Sequence, residues 1–350
     1  MAKIISANVY YVLIMITLGI ESSCDETSVA ILNGGSVLVS LTHSQEEHAL
    51  YGGVVPEVAS RAHLEKIDGL VKRALSECGL APNDLELIAV TDSPGLAGAL
   101  LVGISFALGL HTAYGIPVTG VNHLEGHICS LFIDRPNLTP PFIVLLASGG
   151  HTAIYNYQSY NNCKLLGQTV DDAAGEAFDK VGKLLGFTYP AGRAIEEEAA
   201  KAVNHDQHQD HKKITFPTAK FTSPEKSYCF SFSGLKTAVK NFISAQGEKY
   251  IDTNRPEICA AFQKNVVNTL VDNLEAAAKA HGVKTVAAAG GVACNGYLRR
   301  ELEKRFGADN VMLPAPRLCT DNGAMIAMAG YMMHNSGRTR FPKMDPGRGI

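Results

Sequence analysis

Several groups of residues in this 350-residue chain have the types and spacing to do chemistry. One is His123-Leu-Glu-Gly-His127. Histidines at i and i+4 share a helix face, which suits joint coordination of a metal; a structural pair is the alternative. Glu125, at i+2, lies about 200° round a helix from His123, so it cannot serve as the base of a His-Glu-x-x-His peptidase. A third ligand is needed. Asp321 in Cys319-Thr-Asp-Asn322 is a candidate and is equally a candidate helix cap.

A second group is Ser148-Gly149-Gly150-His151-Thr152, at the end of the apolar run Phe142 to Ala147. Paired glycines place no Cβ between backbone N–H groups and an anion, and the hydroxyls add donors; an ordinary hairpin turn has the same composition. Glu21-Ser22-Ser23-Cys24-Asp25-Glu26-Thr27 is a matching turn in the first half of the chain, and two such turns suit a phosphate clamped between lobes. Gly290-Gly291 end another apolar strand, and Asn295 beyond them either caps a helix or bonds a ligand. Neither a Gly-x-Gly-x-x-Gly after a first strand nor a Gly-x-x-x-x-Gly-Lys is present, which removes the Rossmann and P-loop readings. A third group is Asp171-Asp172-Ala-Ala-Gly-Glu176-Ala-Phe-Asp179-Lys180. Its carboxylates stack on one helix face, where they repel unless they hold a cation, bind ligand hydroxyls or stand in solvent.

The elements that position these groups come in two matching sets. Ile16 to Leu32 and Phe142 to Tyr155 each read as a β-hairpin around a small polar turn. Leu87 to Gly95 and Thr285 to Gly291 each read as a strand and turn, leading into helices Leu96 to Tyr114 and Asn295 to Phe306. This is a duplication of supersecondary structure, giving two related α/β lobes. We expect an extension at 1–14, lobe I at 15–140, lobe II at 141–319 and a last helix at about 320–336 crossing back to lobe I. Lobe II carries an insert at about 165–237, with a helix from Ala173 to Gly186. Within the insert, His205, His208 and His211 read as a solvated loop rather than as ligands. Pro140-Pro141 reads as a hinge, and the basic, Gly- and Pro-rich tail 337–350 as mobile.

Composition narrows the class. Hydrophobic residues at 46% and charged residues at 19% fit a globular protein with a sizeable core and exclude disorder. A net charge of −3 means that any nucleic-acid contact rests on a local basic patch or on a partner. The eight cysteines are scattered with no Cys-x-x-Cys pair, which reads as reduced core thiols of a cytoplasmic protein rather than a zinc ribbon or redox motif. The apolar run from Ile4 to Ile20 is short of the ~20 residues of a membrane span and lacks a cleavage site, so it reads as a buried strand behind a short extension, with Met15 a second candidate start.

Taken together, Gly19-Ile-Glu-Ser-Ser-Cys-Asp-Glu-Thr27, Gly52-Gly-Val-Val-Pro-Glu57, Asn122-His-Leu-Glu-Gly-His127, Ser148-Gly-Gly-His-Thr152, Asp171 to Lys180, Ser231-Phe-Ser-Gly-Leu-Lys-Thr237, Gly290-Gly-Val-Ala-Cys-Asn295 and Cys319-Thr-Asp-Asn322 resemble the bacterial TsaD family, the tRNA threonylcarbamoyladenosine synthases once misnamed glycoproteases. The resemblance runs from about Ile16 to Arg338. It implies an actin/Hsp70-type (ASKHA) α/β fold with two RNase H-like lobes around a nucleotide cleft. It implies transfer of threonylcarbamoyl from threonylcarbamoyl-AMP to N6 of the adenosine 3′ of the anticodon (position 37), in tRNAs reading codons that begin with A, with release of AMP. It implies metal ligands at His123, His127 and Asp321, and adenylate contacts at Leu146, Ala147, Ser148, Gly149, Gly150, Asp179, Gly192 and Asn295. Such a His₂Asp set suits one Fe²⁺ per chain, with Zn²⁺ the alternative. TsaB-like and TsaE-like proteins are the implied partners, tRNA is the substrate, and no membrane is involved.

The chain departs from the family at Tyr189-Pro-Ala-Gly-Arg193, where Tyr-Pro-Gly-Gly-Pro is usual, and at Glu196, which replaces an Asp expected to meet the ribose. Asp25 and Glu26 are candidates for a base or orienting carboxylate from the position of their turn alone. The competing readings are a small-molecule kinase of the same fold and a non-catalytic nucleotide-binding regulator.

Overall fold

The computed structural model describes residues 15–51, 53–135, 137–202, 214–219 and 221–350. The extension 1–14 and the loop carrying His205, His208 and His211 lie outside the described residues, as does Gly52 of the Gly52-Gly53 motif. The chain divides into two compact units: residues up to Ser44 with Pro56–Pro136 and Asn322–Gly349, and Gln45–Val55 with Asn137–Asp321 and Ile350.

Unit 1 opens with β1 (Ile16–Glu21), β2 (Glu26–Asn33) and β3 (Ser36–Ser44), an antiparallel meander. Then come α1 (Pro56–Cys78), β4 (Leu87–Ser93), α2 (Ala97–Tyr114), β5 (Val118–Asn122) and the short α3 (His123–Cys129). The sheet order is β3-β2-β1-β4-β5, with β1, β4 and β5 parallel. Parallel strands covered on both faces read as unbroken apolar runs, and every residue of β4 is buried. The core joins Leu18, Ile20, Val29, Ile31, Ile88 and Val90 of the sheet to Ile67 and Val71 of α1 and Leu100 and Ile104 of α2. α2 is apolar enough to span a membrane by composition, with mean hydropathy 1.5, but it packs on β4 and α1.

Unit 2 repeats the plan. β6 (Phe142–Ala147), β7 (Thr152–Ser159) and β8 (Asn162–Gln168) form the meander. The insert follows as α4 (Ala174–Leu184), α5 (Gly192–Ala202) and α6 (Ser233–Gln246), and then comes α7 (Glu248–Ala280). α7 is kinked at Asn254, where Pro256 removes a backbone donor. β9 (Val286–Ala289), α8 (Gly296–Phe306) and β10 (Val311–Met312) complete the order β10-β9-β6-β7-β8. In both sheets an antiparallel meander is extended by two parallel strands on the side of its first strand. The duplication read from the sequence is therefore a shared topology. Phe178 and Phe262 meet edge to face in the core of this unit, with Phe230 and Phe232 behind them.

The chain returns to unit 1 as α9 (Gly323–Asn335), which packs on β1, β4 and α3. The approach is close enough to need glycine on both sides. A Cβ on Gly19 of β1 would lie 2.5 Å from the Ala327 amide nitrogen, and one on Gly323 would lie 2.6 Å from Ala30 N.

The tail differs from expectation. Residues 337–350 were expected to be mobile, but Arg340 forms a two-pronged ion pair with Asp92, Nη2 to Oδ1 at 2.7 Å, and the Lys343 amide donates to Asp92 Oδ2 at 3.0 Å. Asn122 Nδ2 donates to the carbonyls of Arg348 and Gly349. The reason is electrostatic: Asp92 is fully buried, and a buried carboxylate requires a paired cation. Gly and Pro content marks irregular backbone without saying whether it is anchored.

Candidate functional site

The histidine pair is built by the junction of β5 and α3. Asn122 ends the strand and caps the helix, its Oδ1 accepting from Leu124 N at 2.9 Å and Glu125 N at 3.3 Å. The cap starts the helix at His123, and one turn later His127 falls on the same face; the rings meet edge to face with centroids 4.7 Å apart. Both side chains are buried. Asp321 immediately precedes Asn322, whose side chain caps α9 by accepting from Met325 N at 2.9 Å. The cap is thus the neighbour of Asp321, and the Asp321 carboxylate is directed elsewhere: one ligand atom from each of His123, His127 and Asp321 lies within 4.8 Å of the others. Two imidazole nitrogens and one carboxylate oxygen at that spacing match the chemistry of a metal centre with open positions.

Sequence reasoning missed Glu21. It ends β1, is 1% exposed, and its Oε2 lies 3.0 Å from His123 Nδ1. The same carboxylate accepts from Ser23 N and from Thr91 Oγ1, each at 2.6 Å. The available signal was a charged residue closing an otherwise apolar strand. The candidates Asp25 and Glu26 are half-buried in the turn that follows. That turn is held by His63 of α1, which bonds Thr27 Oγ1 through Nδ1 at 2.7 Å and the Cys24 carbonyl through Nε2 at 3.0 Å.

In unit 2 the glycine turn joins β6 to β7. Ser148 and His151 close it, through Ser148 N to His151 O at 2.8 Å and His151 N to Ser148 Oγ at 3.2 Å. Gly149 and Gly150 lie exposed between them, with nothing within 4 Å of where a Cβ would sit. Leu146 and Ala147 are buried residues at the end of β6, paired with Ala153 and Thr152 of β7. Beneath the turn, Gly175 of α4 donates to the Ser148 carbonyl at 3.2 Å.

Asp179, Gly192, Glu196 and Asn295 lie in or beside the starts of α5 and α8. Asp179 Oδ1 accepts from Ala191 N at 2.8 Å, next to Gly192 at the start of α5. Glu196 Oε1 accepts from Gly296 N at 2.7 Å, at the N-terminus of α8. Asn295 caps the same helix, with Oδ1 accepting from Leu298 N at 3.0 Å and Nδ2 donating to Gln263 at 2.8 Å. Of the two roles open to Asn295, the cap is the one seen. The Ala191 methyl occupies the space that a Cβ on Gly182 would need, so Gly182 makes room for that departure. Arg193 is an exposed partner of Glu197.

The acidic helix resolves its repulsion in a way not anticipated. Asp172 pairs with Lys180 at 2.8 Å and Lys236 at 3.2 Å, and Glu176 pairs with Lys180 at 2.7 Å. Asp171 binds the Ser231 hydroxyl at 2.5 Å and the Phe232 amide at 2.8 Å. The Ser231 to Thr237 segment is thereby tied to the Asp171-Asp172 turn. Burial by itself pushes the Asp172 carboxyl up, but the hydrogen bonds from Lys180 and Lys236 outweigh it and hold the group below its usual range.

Comparison with known proteins extends these observations. The family model described as TsaD, tRNA N6-adenosine threonylcarbamoyltransferase, matches residues 36–328. A curated relative of that name from Thermosipho africanus (strain TCF52B) is 47% identical over 328 residues, covering 92% of this chain and 96% of the relative. Another, from Geotalea uraniireducens (strain Rf4), is 46% identical over 327 residues, covering 92% of each. Among solved structures, full-length HypF in a phosphate- and nucleotide-bound form gives a TM-score of 0.56 at 15% identity, over 92% of this chain and 46% of that one. Component A of (R)-2-hydroxyglutaryl-CoA dehydratase from Acidaminococcus fermentans gives 0.54 at 16% identity, over 93% and 99%. At such low identity these two likenesses carry the fold alone.

Proposed function

This chain belongs to the TsaD family of tRNA N6-adenosine threonylcarbamoyltransferases, and from that premise we propose that it transfers threonylcarbamoyl from threonylcarbamoyl-AMP to N6 of the adenosine 3′ of the anticodon, in tRNAs reading codons that begin with A, and releases AMP. It is an acyltransferase of tRNA modification. The observation that carries this is identity of 46–47% over 92% of the chain to relatives named tRNA N6-adenosine threonylcarbamoyltransferase.

The acceptor amine is a poor nucleophile because its lone pair is delocalised into the purine, while the donor, a mixed carbamic–phosphoric anhydride, already has a good leaving group. The protein therefore has to align the two, polarise the carbonyl and remove a proton. In our reading the exposed Gly149 and Gly150 amides take the phosphate, in a turn braced by Ser148 and His151. Asp179 and Glu196 hold the starts of α5 and α8, fixing Gly192 and Asn295 around the nucleoside. Asp25 or Glu26 takes the N6 proton. His123, His127 and Asp321 would hold one divalent ion, Fe²⁺ by preference and Zn²⁺ as the alternative, which supplies Lewis acidity when bound. The reading also places the protein in the cytoplasm with TsaB-like and TsaE-like partners, which complete a tRNA surface that a chain of net charge −3 covers poorly alone.

The test supplies threonylcarbamoyl-AMP and unmodified tRNA to the metal-loaded protein with its partners and analyses the tRNA nucleosides. Threonylcarbamoyladenosine is expected, and its persistent absence refutes the reading. Replacing both His123 and His127 with Ala should remove the metal by elemental analysis; retention of stoichiometric metal refutes the ligand assignment.

A further inference from the structure

We propose that Glu21 is the positioning residue of the metal centre: it fixes the His123 imidazole as the Nδ1–H tautomer and so presents Nε2 as the ligand nitrogen. The inference rests on the reading of His123 as a ligand. A carboxylate buried to 1% exposure is costly unless its lone pairs are used. Glu21 uses them locally. Oε1 accepts from Ser23 N at 2.6 Å, and Oε2 accepts from Thr91 Oγ1 at 2.6 Å and faces His123 Nδ1 at 3.0 Å. An ionised carboxylate only accepts, so the proton of the Glu21–His123 bond belongs to Nδ1. Ser23 Oγ, 3.2 Å from the same nitrogen, shares it.

The geometry follows from the chain. β1 and β4 are parallel neighbours, so Glu21 at the end of one and Thr91 on the other reach across the same strand pair. The turn after β1 brings Ser23 N back onto the carboxylate. Glu21 is therefore held by two bonds independent of His123, and Asn122 starts α3 at that histidine. With Nδ1 committed as a donor, the Nε2 lone pair is the one a metal can take, and the ring's rotation is fixed by the same bond. Partners of this kind commonly change metal affinity about 10–100-fold when removed. The sequence marks Glu21 only as part of a polar turn; the bond to a residue 102 positions away exists only in the fold.

The experiment titrates the full chain, stripped of metal, with Zn²⁺ alone in competition with a chelator, for the wild type, Glu21→Gln, Thr91→Val and His123→Ala. The ¹⁵N shifts of the His123 ring are recorded on the metal-free protein. We expect one Zn²⁺ per wild-type chain, loss in His123→Ala, an affinity 10–100-fold weaker in Glu21→Gln, and a smaller loss in Thr91→Val, which removes one of the bonds that hold Glu21. The wild type should show the Nδ1–H tautomer, and Glu21→Gln a mixture. Unchanged Zn²⁺ affinity in a folded Glu21→Gln protein overturns the proposal. So does an Nε2–H tautomer in the wild type, which stays measurable even if Glu21→Gln fails to fold. A wild type that binds no Zn²⁺, or a His123→Ala variant that binds it normally, instead overturns the ligand reading on which this proposal stands.

Discussion

Replacing Gly19 with Ala tests how the fold reaches the metal centre. Gly19 lies within β1 against the first turns of α9. A methyl group there would lie 2.5 Å from the Ala327 amide nitrogen and 2.8 Å from the Ala327 Cβ, and nearer still to the Gly323 carbonyl oxygen. Comfortable carbon contacts are about 3.5–4.0 Å, so β1 and α9 must part by about 1 Å. Overpacking of this kind costs about 1–3 kcal/mol, and obstruction by main-chain atoms, which cannot rotate away, puts Gly19→Ala near the upper end. At about 2–4 °C per kcal/mol, the melting temperature should fall by about 6–12 °C. The metal centre should suffer as well, because α9 begins two residues after Asp321 and packs on the helix that carries both histidines. Metal–ligand distances tolerate only about 0.2 Å. Thermal melting of the metal-free protein and competitive Zn²⁺ titration measure the two effects. Gly69→Ala in α1 is the control: with nothing within 4 Å of its Cβ, it should raise stability by about 1 kcal/mol through helix propensity. Gly19→Ala melting with the wild type and binding Zn²⁺ equally well would refute the reasoning.

Other outcomes follow from the same structure. Asp172 is held below its ordinary value of 3.8, so its stabilisation is present above that value and lost as pH falls through the lower folded value. Asp172→Asn should therefore melt below the wild type at pH 7, with the gap closing at strongly acid pH; a gap independent of pH would contradict this. Arg340→Leu leaves Asp92 buried without its cation and should cost about 3 kcal/mol by chemical denaturation, with part recovered in the Asp92→Asn, Arg340→Leu double variant. The hydrogen bond from Cys319 lowers the Cys294 thiol, helped by Arg299, whereas burial pushes Cys259 up to about 12. Iodoacetamide at neutral pH should alkylate Cys294 well before Cys259, as read by peptide mass mapping; the reverse order would be the refutation.

Much of this protein is determined by local sequence. Apolar runs punctuated by glycine located β1, β6 and β9, and the repeated hairpin and strand–turn–helix pattern announced two lobes of one topology, because backbone hydrogen bonding and side-chain period are local properties. The spacing of His123 and His127 placed them on one helix face for the same reason. The start of α8 was read to within one residue, since Asn295 caps it through a bond three residues long, whereas the cap of α9 proved to be Asn322 rather than the candidate Asp321. Tertiary structure alone decided the rest. Short strands such as β10, with two residues, carry no period of their own. Whether the acidic helix faced water, a cation or lysines depended on Lys236, which comes from another helix. Whether the tail was anchored depended on Asp92, whose burial is a property of the sheet. The carboxylate at His123 proved to be Glu21, brought there by strand register and a helix cap, because contacts between distant residues are set by packing rather than by neighbouring residue types.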